Sequence, residues 1–226
     1  MKTRDVSRTE LNGGGYLAFS RGTGPHPAVV VIDEAGGLTK QIKEVARRLA
    51  KAGYVALAVD LLNGRNRPLS MARYIAGTFL GSVNRYGIAD LKASLTFLAR
   101  QPEVDASRMG AIGFSTGASF ALAWACTDSR LKVIATFYAT NPRPLAVMKR
   151  LCPVVASYPE NDFTARAGKT LGRELGRHGI AHDIKVYPGT RHSFFNEQGP
   201  NFETEAADDS WRRVIDFFGD RLQDRQ

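Results

Sequence analysis

The sequence is poor in cysteine and in metal-ligand patterns. Among its 226 residues only Cys126 and Cys152 are cysteines. Both lie in apolar surroundings, so we expect two buried free thiols rather than a disulfide. The four histidines are scattered, and no Cys-x-x-Cys or His-x-x-x-His spacing supports a zinc site. We therefore expect neither a metal ion nor another cofactor.

Long apolar runs are also missing. No stretch approaches the roughly 20 apolar residues that a membrane-spanning helix requires. Residues 1–6 are polar, so no apolar core of a signal peptide is present there. These features predict a cytoplasmic protein that does not contact a membrane.

The charge is strongly positive, with a formal net value of +9. Nucleic-acid-binding surfaces usually concentrate basic residues, often interleaved with aromatics. Here the basic residues occur in short pairs such as Arg47-Arg48, mixed with acidic ones, which indicates solvated helix faces. Nucleic-acid binding is therefore not expected, whereas a modest attraction for anionic substrates stays open.

Apolar segments of strand and helix character alternate along the chain, at an ordinary globular composition of 43% hydrophobic residues. Residues 3–19 have the pattern of one or two antiparallel edge strands, with a turn at 13–15. The alternation predicts one α/β domain over residues 1–226, with a mostly parallel sheet and helices on both faces. The predicted strands are 28–32, 54–59, 108–114, 133–138, 154–158 and 182–187, and the predicted helices are 39–52, 88–100, 115–126, 165–178 and 204–218.

Residues 113–117 read Gly-Phe-Ser-Thr-Gly, between a predicted strand and a predicted Ala-rich helix. Small residues on either side of a serine allow a tight, strained turn that lifts its hydroxyl above the sheet. At the start of a helix, free backbone N–H groups can stabilise an oxyanion. In this setting we interpret Ser115 as a nucleophile. The alternative is a Gly-rich turn that only packs closely.

A serine nucleophile needs a base and an orienting acid, which follow it along the chain in this architecture. Of the four histidines, only His192 lies in a loop after a late predicted strand, where ligands bind in open α/β sheets. The acid is expected after the strand that ends near 158. Asp162 is preferred and Glu160 is the alternative, and an Asp162 that merely caps the next helix fits the spacing equally well.

These residues together resemble the dienelactone hydrolase family of α/β-hydrolases, over most of the chain from about residue 27. The resemblance favours Asp162 over Glu160. It implies that the backbone N–H groups of Gly36 and Thr116 form the oxyanion hole, and it matches Glu34 to an acidic residue beside the nucleophile. It rests on the sequences Val-Ile-Asp-Glu-Ala-Gly-Gly (31–37), Ala-Gly-Tyr-Val-Ala-Leu-Ala-Val-Asp-Leu (52–61), Gly-Phe-Ser-Thr-Gly-Ala (113–118), Asn-Asp (161–162) and Tyr-Pro-Gly-Thr-Arg-His-Ser-Phe (187–194).

The chain departs from this family at two places. Many members carry cysteine at the nucleophile position, where this chain has Ser115. Lactone-cleaving members hold the substrate carboxylate with arginines, but Asn196 stands four residues after His192. Arg73 and Arg85 are candidates for such a contact.

We therefore predict a serine hydrolase that cleaves a small ester or lactone through an acyl-serine intermediate. The alternatives are a thioesterase, a peptidase, an acyltransferase or a non-catalytic binding module on this scaffold. Tyr138 and Phe194 are candidates for lining the pocket or for the core. Residues 63–86 are a candidate cover or a packed segment, so any cap domain is minimal. The partner is a small-molecule substrate, and the chain is expected to be a monomer or homodimer.

Overall fold

The computed structural model describes residues 1–34, 37–61, 72, 76, 83 and 87–223. Eight strands of this part of the chain form one sheet. They are β1 (Thr3–Val6), β2 (Gly15–Ala18), β3 (His26–Ile32), β4 (Val55–Val59), β5 (Val104–Phe114), β6 (Leu131–Phe137), β7 (Val154–Pro159) and β8 (His182–Tyr187). Their order across the sheet is β1-β2-β4-β3-β5-β6-β7-β8.

Most of the sheet is parallel. Strands β4, β3, β5, β6, β7 and β8 pair in parallel in that order. Strand β2 pairs antiparallel with both β1 and β4. Gly13 and Gly14 precede β2 with φ values of 89° and 76°, a conformation that glycine adopts without steric cost. The predicted parallel sheet and its antiparallel N-terminal edge are both confirmed.

Helices cover both faces of the sheet, as predicted. The described α-helices are α1 (Lys40–Lys51), α2 (Ile88–Ala99), α3 (Thr116–Ala125), α4 (Ala165–Arg177) and α5 (Thr204–Leu222). Buried side chains of α1 and α5 share one hydrophobic cluster with Val29 and Val31, while those of α2, α3 and α4 share a second cluster with Val30 and Ile32. Alternate residues of β3 therefore face opposite helix layers. None of the described helices is long and apolar enough to cross a membrane.

The largest differences from the predicted elements are at β5, at α5 and in one short helix. Strand β5 begins four residues earlier than expected, at Val104, and α5 continues to Leu222 instead of ending at 218. Both terminal side chains are buried, so tertiary packing extends elements whose ends are polar in sequence. A short 3₁₀ helix at Leu145–Arg150 was not predicted, because its six residues are too few for a helical period to show.

The parallel strands bring several polar side chains to one edge of the sheet. Glu34 follows β3, Ser115 follows β5, Asp162 follows β7 and His192 follows β8. The carboxyl ends of parallel strands meet at the same edge, which is where open α/β sheets bind ligands. The topology therefore places these four residues at one edge of the sheet.

Candidate active site

Ser115 forms the corner between strand β5 and helix α3. The strand ends at Phe114, the helix begins at Thr116, and Ser115 has φ 51° and ψ −114°. Such positive φ values are uncommon outside glycine and cost about 1–3 kcal/mol, which the surrounding structure must offset. The Ser115 N–H donates a hydrogen bond to the Phe137 carbonyl oxygen at 2.9 Å, which fastens the corner to β6. The predicted strand–turn–helix corner is present.

Two glycines permit this close packing. A Cβ atom on Gly113 would lie 2.5 Å from the Gly117 carbonyl oxygen. A Cβ atom on Gly117 would lie 2.4 Å from the Asp33 carbonyl oxygen. The obstructing atoms belong to backbone and cannot rotate away as a flexible side chain would. Gly113 therefore allows the close approach of α3 to β5, and Gly117 allows the close approach of α3 to the end of β3 and the loop after it.

We expect Gly117→Ala to lower the free energy of unfolding by about 3 kcal/mol or more, because overpacking here displaces backbone. Gly172→Ala in helix α4 is the matched control, since its Cβ would lie 3.5 Å from Ile184 Cδ1, an ordinary contact. Replacing a helical glycine with alanine should stabilise the protein by about 0.5–1 kcal/mol. Urea denaturation followed by circular dichroism measures both. Equal effects of the two substitutions would contradict the packing argument.

Three side chains form a continuous chain of hydrogen bonds at this edge of the sheet. Ser115 Oγ lies 2.8 Å from His192 Nε2, and His192 Nδ1 lies 2.9 Å from Asp162 Oδ2. The side chain of Asp162 is 7% exposed and that of His192 is 32% exposed. The carboxylate of Asp162 is thus shielded from solvent, whereas the imidazole of His192 is partly exposed to solvent. The structure brings together the three residues that the sequence singled out.

Asp162 also organises the start of helix α4. Its Oδ1 accepts hydrogen bonds from the Thr164 N–H at 2.7 Å and from Thr164 Oγ1 at 2.5 Å. One carboxylate oxygen therefore contacts the imidazole, and the other contacts Thr164, the residue before the first turn of α4. The alternative residue, Glu160, is exposed and accepts a hydrogen bond from the Gly189 N–H at 2.9 Å.

His192 is fixed by its loop and by aromatic neighbours. Asn201 Nδ2 donates to the His192 carbonyl oxygen at 3.0 Å. The Tyr138 ring centroid lies 4.7 Å from that of His192, and the Phe163 ring stacks on the imidazole at 6.1 Å with only 10° between the planes. The other histidines lie elsewhere: His26 and His182 begin strands β3 and β8, and His178 follows the end of α4.

Glu34 accepts hydrogen bonds from two hydroxyl groups next to the hydrogen-bonded Ser115, His192 and Asp162. Tyr138 OH donates to its Oε1 at 3.2 Å, and Ser193 Oγ donates to the same oxygen at 3.1 Å. Burial, together with the negative charge of Glu34, raises the pKa of Tyr138 well above its ordinary value. The phenol therefore stays protonated and remains a donor to the carboxylate. The role of Ser193, which follows the predicted base directly, was missed by sequence reasoning.

A cavity of about 240 Å³ opens next to Glu34. Tyr138 lines it, whereas Phe194 is fully buried and packs against Tyr138, Tyr187 and Phe137. Of the two positions left open for Phe194, the structure has it in the core and not among the residues that line this cavity. Asn196 also lines the cavity.

Several predicted residues lie outside the described part of the chain. These are Gly36, Arg73 and Arg85, together with all of the candidate cover 63–86 except 72, 76 and 83. The other predicted oxyanion donor, Thr116, is the first residue of α3. Its N–H precedes the hydrogen-bonded turns of the helix, where such groups have no intrahelical acceptor.

The two cysteines are free, as predicted. Cys126 is buried, and burial raises the pKa of Cys152 to about 12, so that thiol stays protonated at neutral pH. Within the described ranges no group of three or more His, Cys, Asp or Glu side chains is arranged to hold a metal ion.

Known proteins are similar to this chain in sequence and in fold. The sequence profile of the Dienelactone hydrolase family matches residues 14–222. A Saccharolobus solfataricus protein named "Putative carboxymethylenebutenolidase" is 31% identical over 229 residues, which cover 85% of this chain and 89% of the relative. A crystal structure of a dienelactone hydrolase-like promiscuous phosphotriesterase from metagenomic libraries is 26% identical, with a TM-score of 0.83 and 98% of both chains covered.

More distant structures share the fold alone. An acylaminoacyl peptidase of Pyrococcus horikoshii matches with a TM-score of 0.77 at 13% identity, over 100% of this chain and 42% of the peptidase. No separate cap domain lies within the described ranges of the present chain. The chain belongs to the dienelactone hydrolase family, and it is a hydrolase with the α/β-hydrolase fold.

Proposed function

We propose that this protein hydrolyses a small carboxylic ester or lactone, with Ser115 as nucleophile, His192 as base and Asp162 as the orienting acid. The observation that carries the proposal is the hydrogen-bonded chain from Asp162 through His192 to Ser115, at 2.9 and 2.8 Å. Family membership supports the bond type. Names of relatives include a carboxymethylenebutenolidase and a lactonase, whose substrates are cyclic esters.

Ser115 Oγ attacks the carbonyl carbon while its proton passes to His192 Nε2. Asp162 accepts the Nδ1–H hydrogen bond, which keeps Nε2 free as the acceptor and stabilises the imidazolium that forms. The N–H groups of Thr116 and Gly36 stabilise the tetrahedral oxyanion. His192 then protonates the leaving oxygen, an acyl-serine remains, and a water deprotonated by the same histidine releases the carboxylic acid.

Serine changes how the nucleophile must be activated. A cysteine can be held as a thiolate because its reference pKa is about 8.5. A serine hydroxyl cannot be ionised beforehand, so its proton must leave during the attack. The 2.8 Å contact between Ser115 Oγ and His192 Nε2 supports this concerted transfer, because the acceptor is already in place.

In this scheme Glu34 is a positioning residue. Its carboxylate is occupied by the hydroxyls of Tyr138 and Ser193, and Tyr138 contacts the imidazole ring. Ser193 directly follows His192, so the hydrogen bond to Glu34 ties the histidine loop to the end of β3. Glu34 therefore acts on the base through its two donors, Tyr138 and Ser193.

Glu34→Gln is expected to lower kcat about tenfold, because one charge-assisted hydrogen bond of about 1.5 kcal/mol is lost. An amide offers a single acceptor oxygen and no charge. Steady-state kinetics on one aryl ester measures the change. Glu103→Gln at the opposite end of the molecule is the matched control and should keep kcat within twofold. A loss as large as that of Ser115→Ala would contradict a role limited to positioning the base.

The 240 Å³ cavity favours small substrates. Thioester cleavage, peptide cleavage and acyl transfer use the same chemistry and differ in pocket shape. The peptidase similarity is one of fold alone, so it gives these alternatives no particular support. A single domain, a cytoplasmic location and a monomeric or homodimeric state stay predictions.

A substrate panel tests the proposed function. Purified protein is assayed on 4-nitrophenyl acetate, butyrate and octanoate, on five- and six-membered lactones, and on a thioester and a peptide anilide. We expect hydrolysis of lactones and short esters, with the octanoate slower. Cleavage of the anilide alone, or of none of these compounds by folded protein, would contradict the proposal.

A further inference from the structure

A buried hydroxyl group lies one helical turn after the proposed nucleophile. Ser119 belongs to helix α3 and is only 1% exposed. Its Oγ donates a hydrogen bond to the Ser115 carbonyl oxygen at 3.2 Å, and its N–H donates to the same oxygen at 3.1 Å. The N–H contact is the ordinary one of an α-helix. The hydroxyl is therefore an additional donor to the backbone of the nucleophile.

The direction of the Ser119 hydroxyl is fixed by Thr140, in the loop after β6. The Ser119 oxygen accepts hydrogen bonds from the Thr140 N–H at 2.8 Å and from Thr140 Oγ1 at 2.9 Å. A serine hydroxyl has one proton to donate and two lone pairs that accept. Because Thr140 occupies both lone pairs, the single proton is directed to the Ser115 carbonyl oxygen. Ser119 thus joins the loop after β6 to the corner at Ser115.

The Ser115 backbone is held on both sides of its α-carbon. Its N–H donates to the carbonyl oxygen of Phe137, the last residue of β6, and its carbonyl oxygen accepts from Ser119. The φ of 51° and ψ of −114° between these contacts are uncommon for a residue other than glycine. Such a backbone conformation persists only where the surrounding contacts enforce it. The Ser119 hydroxyl is one of those contacts.

The peptide group between Ser115 and Thr116 links this contact to the proposed chemistry. A peptide group is planar, and in the trans form its C=O and N–H bonds point in opposite directions. The Ser115 carbonyl and the Thr116 N–H belong to one such group, so a donor that holds the oxygen also sets the direction of the N–H. A hydrogen bond to the oxygen further polarises the group and strengthens its N–H as a donor.

We propose that Ser119 is a positioning residue for the oxyanion hole. Its hydroxyl holds the Ser115 carbonyl oxygen and thereby aims the Thr116 N–H at the oxyanion that forms during the reaction. This inference rests on the proposed function and adds to it a residue that lies beyond the motif at 113–117. Acylation and deacylation both pass through a tetrahedral oxyanion, so Ser119 acts in both half-reactions.

Ser119→Ala tests this role through the balance between kcat and KM. With 4-nitrophenyl acetate we expect kcat to fall about tenfold and KM to stay within about twofold, because the contact matters only in the transition state. Removal of a whole oxyanion donor costs about 10²- to 10³-fold. The loss here is smaller, since the Thr116 N–H remains and only its direction and polarisation change.

Ser94→Ala in helix α2 is the matched control. Ser94 is 2% exposed, and its Oγ donates to the carbonyl oxygen of Asp90, four residues earlier, at 2.8 Å. The substitution therefore removes a buried hydroxyl with the same helical contact but without the contact to Ser115. It should keep kcat within about twofold, whatever its effect on a thermal melt. Ser119→Thr keeps the hydroxyl, which threonine in a helix can direct to the same carbonyl, and should keep kcat within about threefold.

The thionoester analogue of 4-nitrophenyl acetate isolates the oxyanion contact, because sulfur replaces the carbonyl oxygen. Sulfur accepts hydrogen bonds only weakly, so the oxyanion donors contribute little to cleavage of this substrate. Ser119→Ala should lower kcat/KM about tenfold for the oxygen ester and no more than about twofold for the thionoester.

An unchanged kcat in Ser119→Ala, with active wild-type protein, would overturn this inference alone. Equal losses on the oxygen ester and the thionoester would show that the nucleophile or the base had moved, and would also overturn it. The same holds if Ser94→Ala loses as much activity as Ser119→Ala. Failure of folded wild-type protein to hydrolyse any ester would overturn the proposed function together with this inference.

Discussion

Replacing Ser115 with alanine is expected to lower kcat for ester hydrolysis by about 10⁴- to 10⁶-fold, because members of a nucleophile–base–acid unit act together. The substitution removes the atom that bonds to the acyl carbon and leaves the oxyanion donors and the cavity intact. KM should change little, since the hydroxyl contributes mainly to the transition state. Residual turnover should equal that of water attacking a bound, polarised ester.

The measurement is steady-state kinetics with 4-nitrophenyl acetate, with circular dichroism and a thermal melt to verify folding. Ser129→Ala is the matched control, because it removes an exposed hydroxyl in the turn before β6. It should keep kcat within twofold. If Ser115→Ala retains most of the wild-type activity, the nucleophile lies elsewhere.

Asp162→Asn should lower kcat by about 10⁴-fold, the second largest effect expected. An amide can donate to Nδ1, which would place the imidazole proton on Nε2 and abolish acceptance of the Ser115 proton. The loss of charge also removes stabilisation of the imidazolium. Because Asp162 Oδ1 holds Thr164 as well, some loss of thermal stability should accompany the kinetic effect.

Glu160→Gln is the decisive comparison for Asp162. Both carboxylates lie in the loop after β7, but Glu160 contacts the Gly189 N–H rather than the imidazole. Its substitution should keep kcat within about threefold, consistent with the loss of one exposed hydrogen bond. Similar losses from the two substitutions would show that the loop as a whole matters, and not the contact between Asp162 and His192.

Much of this arrangement could be predicted because it depends on local rules. The β-branched run at 28–32 and the Gly-Phe-Ser-Thr-Gly corner each have a direct backbone cause, buried strand packing in one case and close helix approach in the other. His192 was identifiable because few histidines compete and because parallel strands align their carboxyl ends. Both arguments need only sequence order and the known geometry of a parallel sheet.

The remaining features depend on contacts between distant segments. Spacing alone left Asp162 and Glu160 open, since both fall in one loop and only the direction of each side chain distinguishes them. The hydrogen bond from Tyr138 to Glu34 joins residues 104 positions apart. The cavity lined by Arg143 and Arg166 likewise combines the loop after β6 with the first turn of α4, and no period or motif marks either arginine in the sequence.

Covalent labelling tests the central claim most directly. The protein is treated with a fluorophosphonate, digested with trypsin and analysed by tandem mass spectrometry, with Ser115→Ala in parallel. We predict one adduct per chain, on the Ser115 hydroxyl within peptide 109–130, and none at that position in the variant. An unlabelled Ser115 in protein that hydrolyses esters, or an adduct on Ser119 or Ser129 instead, would contradict the account.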